Sequence, residues 1–186
     1  MIEIRKARPA DAIAMGAVHV AAWRSTYPGI LPENYLAGMS VSRNAAYYDQ
    51  AIHRGTGVRV AIASGDDVPE GSGSRIVGFT TADKARGRGA SLAEGEVETL
   101  YVLDDWRDQG IGRRLIRAAG EHLREIGCGS AFLWVLRDNP SRWFYQRLGG
   151  KSVMEAEIQV AGETVTQTAF VWDPLDRLLI GSRLAS

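Results

Sequence analysis

Apolar positions change period several times along the chain, and each change predicts an element. Ile2 and Ile4 alternate with charged residues, which predicts an edge-type strand over about residues 2–7. Pro9 and Asp11 supply helix-start chemistry, and Ile13, Ala14, Ala17, Val18, Ala21 and Ala22 then follow at helical spacing. Tyr27-Pro28-Gly29 ends that helix, Leu31-Pro32-Glu33 opens a short second one, and Ser40 or Ser42 can cap a third through about Ile52. The period then becomes two. Val58, Val60 and Ile62 predict a strand, 65–74 a turn cluster, and Arg75–Ala82 its antiparallel partner. Residues 83–95 form a polar, glycine-rich loop, and Glu96–Val102 returns to strand.

From about Ile111 to Ile126, apolar residues at 111, 115, 118, 119, 123 and 126, with His122 among them, share one stripe opposite charged residues. Ala131–Leu136 is a short, wholly apolar run, suited to a strand covered on both faces. Asn139-Pro140-Ser141 opens a brief helix that stops at Gly149-Gly150. Strands over about 151–160 and 164–172 join at Ala161-Gly162-Glu163 as a hairpin, and 174–186 reads as a weakly anchored tail. The order predicts one α/β domain over 1–173 with a mixed sheet flanked by helices, followed by that tail.

Length and composition narrow the function classes. The 186 residues fit one domain, and 22 basic against 22 acidic side chains argue against broad attraction to nucleic acid or anionic membranes. No apolar run approaches the ~20 residues of a membrane span, and the first residues have no signal-like apolar stretch. Cys128 is the only cysteine, which excludes an internal disulfide, and His19, His53 and His122 are scattered. The expectation is a cytoplasmic protein without a metal site.

The segment Leu100–Arg114 carries the first chemical signal. A strand ends, a polar turn follows, and Gly110 and Gly112 stand at the mouth of the amphipathic helix. The first N–H groups of a helix have no intrahelical acceptor, and the helix dipole adds partial positive charge there. Without Cβ atoms at Gly110 and Gly112 an anion can approach the backbone, and Arg113 and Arg114 add full charge. The dinucleotide fingerprint would need glycine at position 115, which is Leu115, and the Walker A pattern does not occur. Alone, the turn is a weak signal and reads more readily as a tight turn that caps a helix.

A second block follows, Leu133–Leu136, Asn139 and Phe144-Tyr145-Gln146-Arg147-Leu148-Gly149-Gly150. Together, Leu100-Tyr101-Val102, Arg107-x-x-Gly110-x-Gly112, Asn139 and the Phe-Tyr-x-x-Leu-Gly-Gly run resemble, in order and spacing, the GNAT superfamily of acetyl-CoA-dependent N-acetyltransferases. With the flanking elements the resemblance covers most of residues 2–172. It implies a central sheet splayed between Glu96–Val102 and Ala131–Leu136 to admit acetyl-CoA. Main-chain groups at Leu100, Tyr101 and Val102 would then meet the pantetheine arm, and Asp108, Gln109, Gly110, Ile111, Gly112 and Arg113 would surround the pyrophosphate. Asn139 would contact the cofactor near its thioester end, and Tyr145 matches the general acid that protonates the departing thiolate. The family is often dimeric, and the C-terminal hairpin offers an edge for a homodimer.

An amine must lose its proton before it attacks a thioester, and a carboxylate can take it. Glu96 and Glu98 share a strand face by alternation; Glu96 matches a frequent GNAT base position and Glu98 is a substrate-side candidate. Trp23 and Tyr27 lie where the family lines its acceptor site, with Tyr35, Tyr47 and Tyr48 in the same helical region. Other readings stand beside these: a solvated strand face for the carboxylates, core packing for the aromatics, Cys128 and His122, and a solvated loop for Lys84, Arg86 and Arg88. The implied activity is direct acetyl transfer to a primary amine of a small molecule or protein. A non-catalytic acyl-CoA-binding module, or transfer of a longer acyl chain, is the alternative.

Overall fold

Strands with alternating or continuous apolar faces assemble here into one seven-stranded sheet of order β1-β2-β3-β4-β5-β7-β6. A computed structural model describes residues 1–65 and 73–183. The strands are β1 (Ile2–Lys6), β2 (Gly57–Ser64), β3 (Ser74–Lys84), β4 (Gly95–Val102), β5 (Ala131–Leu136), β6 (Lys151–Val160) and β7 (Glu163–Trp172). All neighbours are antiparallel except β4 and β5. The expected turn between 65 and 74 falls mostly on 66–72, outside the described residues.

Helices cover both faces. On one side lie α1 (Ala12–Thr26), α2 (Glu33–Ala37) and α3 (Val41–His53), where Met15, Val18 and Tyr48 pack against Val58, Val60 and Phe79. On the other, α4 (Ile111–Glu125) buries Ile116, Ala119 and Leu123 against Ala82, Val97 and Leu133. The short α5 (Arg142–Arg147) brings Tyr145 and Leu148 to that second core. Ser40 caps α3 as expected, its hydroxyl accepting from Arg43 N at 3.2 Å.

Three expectations are corrected. The buried residues of α1 are Ala12, Met15, Gly16, Val18, Val20 and Ala22, whereas Ile13 is 72% exposed. Alanine lies all round this helix, so its periodicity left the buried face undetermined, and Gly16 selects it. A Cβ there would come within 2.9 Å of Ala45 N, so only glycine lets α1 approach α3 this closely. In the loop 83–95, β3 runs on to Lys84 and residues Gly87–Ser91 form a 3-10 turn, with Arg86 paired to Asp83 at 2.9 Å.

The third correction concerns the C-terminal segment, which is anchored rather than loose. Asp176–Gly181 forms α6, Leu175, Leu178 and Leu179 are buried, and Leu178 belongs to the core under α4. Truncating a fully buried leucine costs about 2–5 kcal/mol. Leu178→Ala is therefore expected to lower the unfolding free energy measured by urea titration by that amount, and a change below about 0.5 kcal/mol would show that the segment is loosely held.

Candidate active site

The cleft begins where two strands separate. β4 and β5 pair only at Gly95↔Ala131 and Glu96↔Phe132, while β5 continues against β7 as far as Leu136↔Gln167. From Val97 onward the β5-facing edge of β4 has no strand partner among the described residues, and a buried backbone edge requires one. The gap opens into a cleft of about 680 Å³, large enough for an extended ligand. Val97–Val102 form one wall and Leu133–Leu136 the other, so the splay implied by the family resemblance is present.

At one end lies the turn into α4. Asp108 (φ 59°) and Gly110 (φ 75°) both take the left-handed conformation just before α4, whose first N–H groups lack intrahelical acceptors and suit an anion. Gly110 meets this without strain. A Cβ on Gly112 would find only Phe144 Cζ, at 3.6 Å, so the space beside it is open to the cleft. Asp108, Gly110, Gly112 and Arg113 line the cleft, as does Arg107, which is tied to Asp104 at 2.8 Å and to the Thr26 hydroxyl at 3.0 Å. Arg113 also donates to the Gly181 carbonyl, at 3.2 Å, and to that of Arg183.

Two expected cradle residues contribute no side chain to the cleft. Ile111 is 2% exposed in the core beneath β2–β4, and the Gln109 amide donates to Asp105 O at 3.1 Å. Their placement leaves only backbone for the site. Asn139 lines the cleft but is largely occupied within the protein. Its Nδ2 donates to Tyr27 Oη at 3.1 Å, and its Oδ1 accepts from Ser141 N at 2.9 Å, which shapes the entry to α5.

Tyr145 stands inside the same cleft, packed edge-on against Phe144 and Trp172. Its hydroxyl makes no hydrogen bond within the described residues. Burial raises its pKa, with the Tyr27 phenol nearby adding to the effect, so Tyr145 keeps its proton at neutral pH. Tyr27 is raised for the same first reason, partly offset by the Asn139 amide and then by Arg107.

The carboxylates occupy different depths. Thr81 pairs with Thr99 and Ala82 with Val97, so Glu98 is an extra residue, a bulge in β4. The bulge turns both Glu98 and Thr99 toward Thr81, whose hydroxyl meets Glu98 Oε2 at 3.3 Å and Thr99 Oγ1 at 2.9 Å. Glu98 lines the cleft and Glu96 does not. Burial, followed by the charge of Glu98, raises the Glu96 pKa above the usual carboxylate range.

Aromatic rings close the other side. Trp23 and Tyr27 line the cleft with centroids 4.9 Å apart, and Trp23 faces Tyr35 at 6.5 Å. Trp23 Nε1 is buried without a hydrogen-bond partner among the described residues. Burial raises the Tyr101 phenol; the Trp23 indole beside it acts in the opposite direction but falls short of a formed hydrogen bond. Tyr47 is half exposed near Glu98, whereas Tyr48 is core. Cys128 is buried as expected, and His122 packs its ring over Gly57. Lys84, Arg86 and Arg88 do not line the cleft.

Sequence reasoning left one pair unidentified. His19 Nδ1 and Tyr48 Oη lie 2.7 Å apart, across 29 residues of chain, and the His19 ring stacks 4.9 Å from Tyr101 and 5.2 Å from Trp23. The only signal was the four-residue helical spacing to Trp23. Burial among these uncharged rings lowers the His19 pKa from 6.5 to about 4. The unfolded chain thus binds a proton more tightly, so this stability is full above pH 6.5 and is lost as pH falls toward 4. Up to about 3 kcal/mol follows from a shift of this size. Urea titrations at pH 7 and near pH 4 should show that loss, and His19→Gln should flatten it; an unchanged slope would mean His19 is not its source.

Among the described residues no helix is long and apolar enough to cross a membrane. Comparison with known proteins agrees with the architecture. A family model described as "Acetyltransferase (GNAT) family" matches residues 23–150. The "Uncharacterized N-acetyltransferase YuaI" of Bacillus subtilis (strain 168) is 29% identical over 178 residues, 96% of each chain. Among solved structures, Arabidopsis thaliana NAA60 in complex with a bisubstrate analogue superposes with a TM-score of 0.68 at 20% identity, covering 92% of this chain and 97% of that one. The putative acetyltransferase yncA from Salmonella typhimurium, with its cofactor acetyl-CoA, gives 0.66 at 17%, covering 93% and 94%. A sheet split beside a helix N-terminus, matched by sequence over most of the chain, identifies the protein as an acyltransferase belonging to the GNAT family.

Proposed function

We propose that this protein moves the acetyl group of acetyl-CoA directly onto a primary amine, with Glu96 as general base and Tyr145 as general acid. The observation that supports this most is that the anion cradle, an unpaired β4 edge, Glu98 and Tyr145 all border one continuous cleft. The residues present fit the cofactor. Two left-handed residues and the open side of Gly112 suit a pyrophosphate, and the Leu100–Val102 backbone suits an extended amide-bearing arm. Acetyl-CoA, when bound, supplies the acetyl thioester.

The chain's own groups handle charge and protons. Glu98 draws a cationic amine to the cleft mouth beside Trp23 and Tyr27. Glu96, out of the cleft itself, takes the ammonium proton through water, and its raised pKa makes it a better base for that step than an ordinary carboxylate. As the C–N bond forms and the C–S bond breaks, Tyr145 gives its Oη proton to the departing thiolate sulfur. It regains one from the amine nitrogen, while Glu96 keeps the first ammonium proton. The β4 backbone N–H groups polarise the carbonyl.

Thiol release measured over an amine panel tests the reading, with the two carboxylate variants dividing the roles. Glu96→Gln is expected to lower kcat by roughly 10²-fold and to remove the fall in kcat/KM at acid pH. That fall arises because, below its raised pKa, Glu96 already carries a proton. Glu98→Gln is expected to raise KM for the amine chiefly, leaving the pH profile in place. If Glu98→Gln instead abolishes the acid limb, the base is Glu98. Release of no thiol with any amine would contradict the transferase step.

A further inference from the structure

A second groove, of about 810 Å³, runs along the flank of α4 and shares no lining residue with the cleft. Among the described residues, six of its lining side chains are cations and one, Glu121, is an anion. The chain as a whole is balanced, with 22 charges of each sign, so this excess is a matter of placement. Two of the six are neutralised locally. Arg5 is bidentate to Asp11 at 2.7 and 2.9 Å, and Arg117 meets Glu121 at 3.0 Å.

The remaining four, Lys6, Arg59, Arg114 and Arg183, have no carboxylate partner among the described residues. Backbone carbonyls steady two of them: Arg114 donates to Ile2 O at 3.0 Å and Arg59 to Val58 O at 3.3 Å. Lys6 and Arg59 stand directly opposite in the β1–β2 register. Like charges so placed destabilise a strand pair, and an anion bridging them reverses the sign. Arg114 and Arg117, three residues apart, present one face of α4 to the same space. Arginine forks match phosphate oxygens in pairs, and convergence from three elements makes the site multidentate.

We propose that this groove is a second binding site, for a small anion bearing two or more linked phosphates. Its confinement between the β1 edge, α4 and the residues after α6, on a chain of zero net charge, favours a small ligand over a nucleic-acid backbone.

The test is calorimetric titration with tripolyphosphate, chosen because it carries the chemistry without a nucleoside. Three proteins are compared: the unaltered chain, Lys6→Ala/Arg59→Ala, and Gly112→Val, which blocks the cleft cradle. The groove predicts saturable binding that weakens as salt is added. Binding should fall by roughly 10²-fold in the Lys6/Arg59 variant, about tenfold per cation, and change by less than about threefold in Gly112→Val. Arg183→Ala, expected to lose roughly tenfold, repeats the test if the double variant folds poorly. The ligand-free Lys6→Ala protein should melt no lower than the parent, since a repulsion is removed.

Absence of binding, or binding lost in Gly112→Val and kept in the Lys6/Arg59 variant, would overturn the site. A short duplex oligonucleotide that bound more tightly than tripolyphosphate would overturn its small-ligand class. Tripolyphosphate can also reach the cleft cradle, so the groove is read in the Gly112→Val background, where its failure and a failure of the cleft assignment are distinct outcomes.

Discussion

Tyr145→Phe is expected to lower turnover by roughly 10²-fold or more while leaving CoA affinity nearly unchanged. The substitution removes one oxygen and keeps the ring. Its contacts with Phe144, Phe170 and Trp172 survive, and no hydrogen bond is lost because the hydroxyl makes none within the described residues. What disappears is a proton that burial keeps on the phenol at neutral pH, at the wall of the cleft. A thiolate leaving group without that proton source must depart charged into a poorly solvated site. Steady-state rates with a calorimetric CoA titration separate the cases. An equal loss of CoA affinity would make Tyr145 structural, and unchanged turnover would remove it from the proton path.

The second large effect is expected from Gly112→Val, which should weaken CoA binding by roughly 10²-fold with little change in folding stability. Protein atoms leave room for the added side chain, the nearest to a Cβ being Phe144 Cζ at 3.6 Å. Valine in the first turn of α4 has slightly better helix propensity than glycine. The isopropyl group instead occupies the open side of the cradle and holds a phosphate away from the N–H groups at the helix start. Losing two hydrogen bonds to a charged group costs about 3 kcal/mol. Thermal melting and a CoA titration of the same sample check both halves. CoA affinity within about threefold of the parent would contradict the cradle.

Sequence was most informative where function and local structure coincide. The Leu-Tyr-Val strand end, the glycine turn and the amphipathic α4 were legible because each places its chemistry within a few residues of a strong periodic signal. The splay between β4 and β5 came from the family resemblance, since no local pattern encodes a gap between strands, and the parallel pairing at its base was not read at all. The bulge at Glu98 was invisible. It depends on the β3 register, and it sets which carboxylate reaches the cleft.

Two failures share a physical cause in short or uniform segments. Leu175, Leu178 and Leu179 have helical spacing, but a helix of six residues gives too few turns for its period to stand out, so α6 read as tail. Alanine-rich α1 had too many equivalent faces, and the close approach at Gly16 decided among them. The buried His19–Tyr48 contact could not be read at all, because nothing local links residues 29 apart.

The most direct measurement is calorimetric titration of the protein with acetyl-CoA, CoA and NAD. Saturable one-to-one binding of both CoA compounds, with none for NAD, is the expected result, because the cradle lacks the dinucleotide pattern and the β4 edge is open to an extended amide arm. Failure of both CoA compounds to bind, or equal binding of NAD, would contradict the assignment of this cleft and of every residue role that depends on it.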